Sequence, residues 1–178
     1  IVMRYQGGSN AGHTVYHNNK KIVLHQIPTG VLRESNTCIL GNGMVVDPVG
    51  FREEIDCLIS NSINFENKIL IDYYSHIVTP IHKLIDKTTE QRSNNKIGTT
   101  CKGIGPTYQD KYQRVGIRAI DILDIEKLKF KIEKRLNSSI ENNEIDKGAV
   151  NQINFQDFYD SCDFISQYVS DTFPIVHN

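Results

Sequence analysis

The sequence lacks any run of the roughly 18–20 consecutive apolar residues that a membrane-spanning helix needs, and no secretory pattern opens it. Neither sign of charge dominates. Lys and Arg number 20 against 21 Asp and Glu, a net charge of −1, so no bulk basic field draws the chain to nucleic acid. Cysteine is sparse and dispersed. The four (Cys38, Cys57, Cys101, Cys162) include no Cys-x-x-Cys pair, which argues against a zinc knuckle or a disulfide framework and for reduced thiols in a cytoplasmic compartment. No internal repeat of solenoid period is found. What is present, 178 residues with 39% apolar and 23% charged side chains, suffices for one sizeable core and a small appended lobe.

The chain begins at Ile1 inside a strand-like run and ends at Asn178 just past a helical pattern, so it reads as a piece of a longer protein. Residues 1–5 are a short apolar run that stops at Gly7-Gly8, as a buried strand feeding a loop would. Residues 14–17 and 21–25 flank His17-Asn18-Asn19-Lys20, which predicts a hairpin with an asparagine turn. Residues 37–40 predict a strand closed by Gly41-Asn42-Gly43.

Asp47-Pro48 is a helix start, and Phe51, Ile55, Leu58 and Ile59 then share one helical face. Residues 68–73 read as a buried strand, and 76–92 as a helix in which Pro80 marks a first turn or a kink. A second glycine-rich loop covers 93–110, and 116–123 is strand-like. Two amphipathic helices follow, one through Ile125, Leu128, Ile132 and Leu136, the other through Phe155, Phe158, Cys162 and Ile165. The polar stretch 137–148 between them predicts a mobile connection. The alternation predicts an α/β fold: a mostly parallel central sheet with a hairpin insertion and peripheral helices. Residues 1–123 would form the sheet-and-loop part, and 124–178 a peripheral helical part.

Gly7-Gly8-Ser9-Asn10-Ala11-Gly12-His13-Thr14 has the spacing of a phosphate loop, with His13 in place of the usual lysine. Glycines let backbone N–H groups approach an anion. Histidine changes the chemistry, because an imidazole can give a proton near neutral pH and take it back. A hairpin follows instead of a helix, so this is not a standard triphosphate loop. A plain glycine turn with an incidental histidine fits the spacing as well. His13 and His17 are four apart, but on a strand they lie too far apart to share a metal ion. His25, His76 and His82 read as structural, satisfied by neighbouring backbone.

The second loop, residues 97–108, carries three glycines, three threonines and Lys102, a composition suited to a phosphate or sugar cradle, with Arg114 and Arg118 close behind. A long surface loop with solvated charges is the alternative. Cys101 lacks an identifiable partner base, which argues against a catalytic thiol.

With these residues in view, the chain resembles the adenylosuccinate synthetase family. The resemblance rests on residues 4–14, on His25-Gln26-Ile27-Pro28-Thr29-Gly30, on Gly41-Asn42-Gly43 and on residues 97–108, in that family's order and spacing, and runs from about Arg4 to Leu123. It implies a fold like that of the phosphate-loop NTPases. It also implies a ligase that joins IMP to L-aspartate in AMP synthesis, driven by GTP with Mg²⁺. The 6-oxygen of the purine leaves poorly, so it is first phosphorylated and then displaced by the amine. His13 matches the family's general acid. Gly12, His13 and Thr14 match the GTP contacts, and Gly12 the backbone carbonyl that binds Mg²⁺. Asn10, Ala11, Gly12, His13 and Thr100 match residues that line IMP. Arg114 matches an arginine that crosses a homodimer interface to the partner's IMP.

Departures accompany the match. Ser9 stands where Asn or His is common, and Cys101-Lys102 replaces a Gly-Arg or Lys-Lys pair, so a bidentate fork is lost relative to the arginine form. The family's Gly-Asp-Glu-Gly-Lys-Gly-Lys loop would precede Ile1, and its guanine and aspartate loops would follow Asn178. The chain is therefore expected to be an incomplete segment, inactive alone. A non-catalytic segment that only binds the IMP phosphate or dimerises is the competing expectation.

Overall fold

The computed structural model describes residues 1–92 and 98–177. Strand β1 (Val2–Gly7) leads into a hairpin, β2 (His13–His17) and β3 (Lys20–Leu24). Its turn holds Asn18 and Asn19 at φ 48° and 61°, the left-handed pair that a two-residue hairpin turn needs and that asparagine tolerates. The predicted hairpin is present.

Strand β4 (Cys38–Val46) is nine residues long and runs straight through Gly41-Asn42-Gly43. The expectation that these glycines close the strand is wrong, for a steric reason. The register of β1 against β4 slips between Arg4 and Gln6, so β4 carries an extra residue there. A Cβ at Gly43 would fall on the Tyr5 carbonyl oxygen, and glycine alone lets the two backbones stay paired.

Helix α1 (Pro48–Ser60) starts at the expected proline. It buries Phe51, Ile55 and Leu58, but Ile59 is 58% exposed, one residue before the helix ends. Strands β5 (Ile69–Asp72) and β6 (His76–Ile77) follow, then α2 (Pro80–Arg92). Pro80 is the first residue of α2, not a kink, and the residues before it are extended because proline disfavours helix in its predecessor. Ile77 is therefore a strand residue.

The expected loop through residue 110 is only half a loop. From Ile104 the chain is helical, forming α3 (Ile104–Gln113). Residues 93–97, including the first residue of the expected second loop, lie outside the described residues. Residues 119–123 form a short 3-10 turn, with a bridge from Arg118 to His76, where a strand was expected. Helices α4 (Ile125–Glu141) and α5 (Phe155–Ser166) are present, followed by β7 (Val169–Ser170) and the single turn α6 (Phe173–Val176). The stretch 137–148 is not a loose connection: α4 occupies its first part, Ile145 is 2% exposed, and Glu144 accepts Arg135 Nη1 at 2.6 Å.

Among the described residues the sheet is parallel throughout, in the order β1-β4-β5-β7, with β6 pairing the far end of β4. This is the expected α/β architecture. Strand β4 lies at its centre, and Ile39, Leu40, Met44, Val45 and Val46 are fully buried. Each such aliphatic side chain contributes about 1.5–3 kcal/mol through its removal from water. Helix α1 packs on α5, fastened by Phe51 against Tyr168 at 5.3 Å and by Arg52 to Asp157 at 2.6 Å; α2 packs on α3 and α4. Through β7 and α5 the segment after residue 123 enters the same sheet and core as the segment before it. No helix among the described residues is long and apolar enough to cross a membrane.

Candidate functional site

At the end of β1 the backbone turns at Gly7, with φ 90°. Gly8 then passes so close to its neighbours that a Cβ would lie 2.5 Å from Ile104 Cδ1 and 2.8 Å from Val45 Cγ2. Side chains from distant parts of the chain hold this first loop by its carbonyl oxygens. Arg4 donates to the carbonyls of Gly8 (3.0 Å) and His25, and Lys102 Nζ donates to the Ser9 carbonyl at 2.7 Å. The Tyr108 hydroxyl accepts from the Gly7 N–H at 2.8 Å and donates to the Gly43 carbonyl at 2.8 Å, tying α3 to β1 and β4. Burial lowers the Arg4 pKa, with Glu54 opposing that shift.

Beneath the hairpin, the buried Glu54 carboxylate accepts the N–H groups of Gln26 (2.8 Å) and Ile27 (2.9 Å). Burial pushes the Glu54 pKa up, and those backbone bonds pull the other way. The Gln26 amide pairs with both backbone groups of Asp47, at 2.7 and 3.0 Å. Asp47 was expected to cap α1. Its side chain makes no cap bond and instead meets Lys83 Nζ at 2.7 Å.

The second loop is held from α2. Asp86 accepts from the Thr99 hydroxyl and the Gly103 N–H, each at 2.9 Å, and Glu90 accepts the Gly98 N–H at 2.8 Å. Behind it, His82 Nε2 lies 2.9 Å from Asp110 Oδ2, which also accepts Arg135 Nε at 2.6 Å. His82 and Asp110 are 1% and 2% exposed. Of the three histidines expected to be satisfied by neighbouring backbone, His82 accepts the Thr79 N–H at 3.0 Å, and the His76 ring bonds to the backbone at Tyr74. The Nδ1 atoms of His25 and His76 are buried with no partner among the described residues.

Three clefts receive the candidate residues. Asn10 and Thr100, one from each loop, line a cleft of about 540 Å³ together with Asp86, Thr99, Gly105 and Gln109. His13 is exposed at the start of β2 and lines a second cleft of about 310 Å³ with residues of β1 and with Ile27, Pro28 and Thr29. Ala11, Gly12 and Thr14 are exposed on the same stretch. Arg114 is exposed, with φ 63°, in a third cleft of about 320 Å³ beside Lys111, Arg118 and His76. Within this chain, then, Asn10 and Thr100 share a wall, whereas His13 and Arg114 each face elsewhere.

Sequence reasoning passed over the residues that position the loops: Arg4, Tyr108, Glu54 and Asp86. Arg4 and Tyr108 lie inside the quoted motifs, and an arginine in an apolar strand was the available signal. Nothing in the local sequence marks Asp86, whose role depends on a fold that brings α2 under residues 98–103.

Comparison with known proteins agrees with this geometry. The sequence model of the family described as adenylosuccinate synthetase matches residues 1–178. The chain belongs to the adenylosuccinate synthetase family. The adenylosuccinate synthetase of Endomicrobium trichonymphae is 41% identical over 180 residues, 99% of this chain and 42% of its own. That of Geobacillus kaustophilus is 40% identical over 182 residues, again 42% of its length. Among solved structures, fully ligated adenylosuccinate synthetase from Plasmodium falciparum superposes with a TM-score of 0.82 at 31% identity, covering 99% of this chain and 41% of that one. The chain thus spans about two fifths of the length of the adenylosuccinate synthetases it matches.

Membership of this family implies a Mg²⁺ ion that accompanies GTP. A hard cation takes oxygen ligands, and the Gly12 carbonyl is one. Among the described residues, however, no group of three or more His, Cys, Asp or Glu side chains could hold a metal ion. These residues do not by themselves make a magnesium site.

Proposed function

We propose that the full-length protein is a GTP-dependent ligase that joins IMP to L-aspartate, forming adenylosuccinate for AMP synthesis, and that this chain is an incomplete segment of it. The observation that carries the reading is the meeting of the two loops. Lys102 of the second grips the Ser9 carbonyl of the first, and Asn10 and Thr100 then face one cleft. An amide and a hydroxyl on a neutral loop suit the phosphate of a nucleotide, and the cations beneath take up carbonyls that would otherwise repel it.

In this reading Asn10, Ala11, Gly12, His13 and Thr100 line IMP, and Gly12, His13 and Thr14 touch GTP. The His13 imidazole, exposed and on a short strand, delivers a proton toward the purine 6-oxygen as that oxygen takes the phosphoryl group. Arg114, exposed beside Lys111 and Arg118, reaches the partner's IMP in a homodimer. Mg²⁺ would accompany GTP, and Gly12 would offer it one backbone oxygen. In this reading the reaction takes place in the cytoplasm.

Phosphate release in the full-length protein tests the reading. His13→Asn is expected to lower IMP- and GTP-dependent turnover by at least about a hundredfold, the lower range for a general acid, with IMP affinity nearly unchanged. Retention of turnover overturns it. Calorimetry with IMP on full-length Thr100→Ala separates catalysis from binding: weakened binding supports the shared cleft, and unchanged binding removes Thr100 from it.

A further inference from the structure

Beneath the first loop is a cavity of about 360 Å³ that the proposed function does not use. Its walls include Ser9, His25, Asp47, Cys57, Lys83, Cys101 and Lys102. Three buried polar atoms on those walls, Ser9 Oγ, His25 Nδ1 and Asp47 Oδ1, have no partner among the described residues. Ser9 and Asp47 are only 4% and 6% exposed, so these polar groups are buried along the wall of that cavity. The charges are of both signs: Lys83 and Lys102 stand with Asp47, Glu53 and Glu54. Such a wall suits a small molecule that itself carries an ammonium and carboxylates.

The cysteines divide in the same way. Cys38 and Cys162 are in the core, 0% and 1% exposed, and burial pushes the Cys38 thiol up to about 11. Both half-buried thiols, Cys57 and Cys101, line this one cavity. Cys57 sits on α1 with Asn61 Nδ2 against its sulfur at 3.7 Å. Cys101 lies on the second loop with φ 51°, and among the described residues its sulfur meets only the Thr99 carbonyl of its own turn, at 3.9 Å.

We propose that Cys101 is a site of reversible thiolation, taking a group from a low-molecular-weight disulfide that bears amino and carboxylate groups, and that this cavity receives the group. The Cys101 sulfur, having lost its proton, attacks one sulfur of the disulfide. A new S–S bond forms, the old one breaks, and the departing sulfur takes up a proton as a free thiol. The disulfide is the oxidant, so nothing else is consumed. The added group occupies the space between Cys101 and Ser9, where the neighbouring Lys102 clamp crosses to the first loop. Thiolation thereby loosens residues 8–12. The inference does not rest on the ligase reading.

The test is incubation of the full-length protein with glutathione disulfide, followed by intact mass and peptide mapping. The expected result is a reductant-reversible adduct on Cys101, lost in Cys101→Ser and kept in Cys57→Ser. Faster amide exchange across residues 8–12 should accompany it. Bis(2-hydroxyethyl) disulfide, which is uncharged, is expected to react with Cys101 about fivefold more slowly relative to its rate with a free thiol, the factor that one partly screened ion pair returns. Absence of an adduct on Cys101, its replacement by a Cys57–Cys101 disulfide, or modification of Cys38 and Cys162 at an equal rate overturns the proposal. Equal relative rates for the two reagents overturn recognition by the cavity.

Discussion

The two glycine-rich loops are held in opposite ways. In the first, cations and a phenol reach in from elsewhere: Arg4 and Lys102 bind the carbonyls of Gly8 and Ser9, and Tyr108 bridges Gly7 to Gly43. In the second, carboxylates on α2 take the N–H groups of Gly98 and Gly103 and the hydroxyl of Thr99. A loop whose carbonyls are neutralised by cations is prepared for an anion. A loop whose amides are already occupied must bind through side chains, and Thr100 remains for that. Residue composition makes the loops look alike; their attachments make them different.

Removing a clamp from the first loop should show this most strongly. Arg4→Met leaves two carbonyls, those of Gly8 and His25, without their donor, and takes a cation away from the buried Glu54. A loss of about 3 kcal/mol is expected in urea unfolding, in the range for breaking a partly buried charged hydrogen-bond network. A loss below about 1 kcal/mol would mean that the loop holds itself.

Acid should separate the two regions next. Burial, with Lys111 and Arg118 nearby, lowers the His76 pKa to about 4, and burial also lowers that of His82. Each is neutral in the fold, while the unfolded histidine takes a proton near pH 6.5. Their contribution is therefore complete above about pH 6.5 and declines as pH falls toward 4, by up to about 3 kcal/mol for His76. Burial by itself would raise Asp110, but its bonds from His82 and Arg135 outweigh that and hold it below the usual range. Its contribution persists above about pH 4 and is lost only below. His82 and Asp110 stand on α2 and α3, behind the second loop, and His76 stands on β6, which packs against α3. Arg4 does not titrate in this window. Amide exchange from pH 7 to 4, corrected for intrinsic rates, should show α2 and α3 losing protection before β1 and β4. Simultaneous loss would refute the separation.

A smaller effect is expected from the second loop's own clamp. Asp86→Asn keeps the shape but weakens the acceptor for Thr99 and Gly103, both only partly buried. A stability change of about 1 kcal/mol is expected, with a larger fractional loss of IMP affinity through Thr100. Thermal unfolding and calorimetry on the same full-length variant would resolve the two.

Much of this arrangement was legible in advance, and the limit has a physical cause. The hairpin, the start of α1 and the faces of α4 and α5 follow from local chemistry: asparagines at a turn, proline at a first helical position, apolar residues at helical spacing. Asn10, His13 and Thr100 were singled out because they lie in short contiguous motifs that match the family, and such motifs are local. The length of β4 was not legible, because Gly43 answers to the Tyr5 carbonyl of another strand. Nor was the helix at Ile104, whose glycine and proline read as loop, although proline sits comfortably in a first helical turn. Asp86 and the pairing of Gln26 with Asp47 depend on contacts between distant segments, to which periodicity is blind.

The hairpin that carries His13 offers the mildest and cleanest contrast, since its turn is fixed by backbone conformation rather than by a clamp. Asn18 and Asn19 are exposed and left-handed, and the second position of such a turn favours glycine. Asn19→Gly should therefore stabilise the protein slightly, by less than about 1 kcal/mol, while Asn19→Val, which resists a positive φ, should cost about the same amount or more. If the glycine variant also raises turnover in the full-length protein, the hairpin's residual freedom limits how well His13 is placed. If turnover is unchanged while stability rises, the register of β2 on β3, which pairs His13 with Leu24, already fixes the imidazole's position.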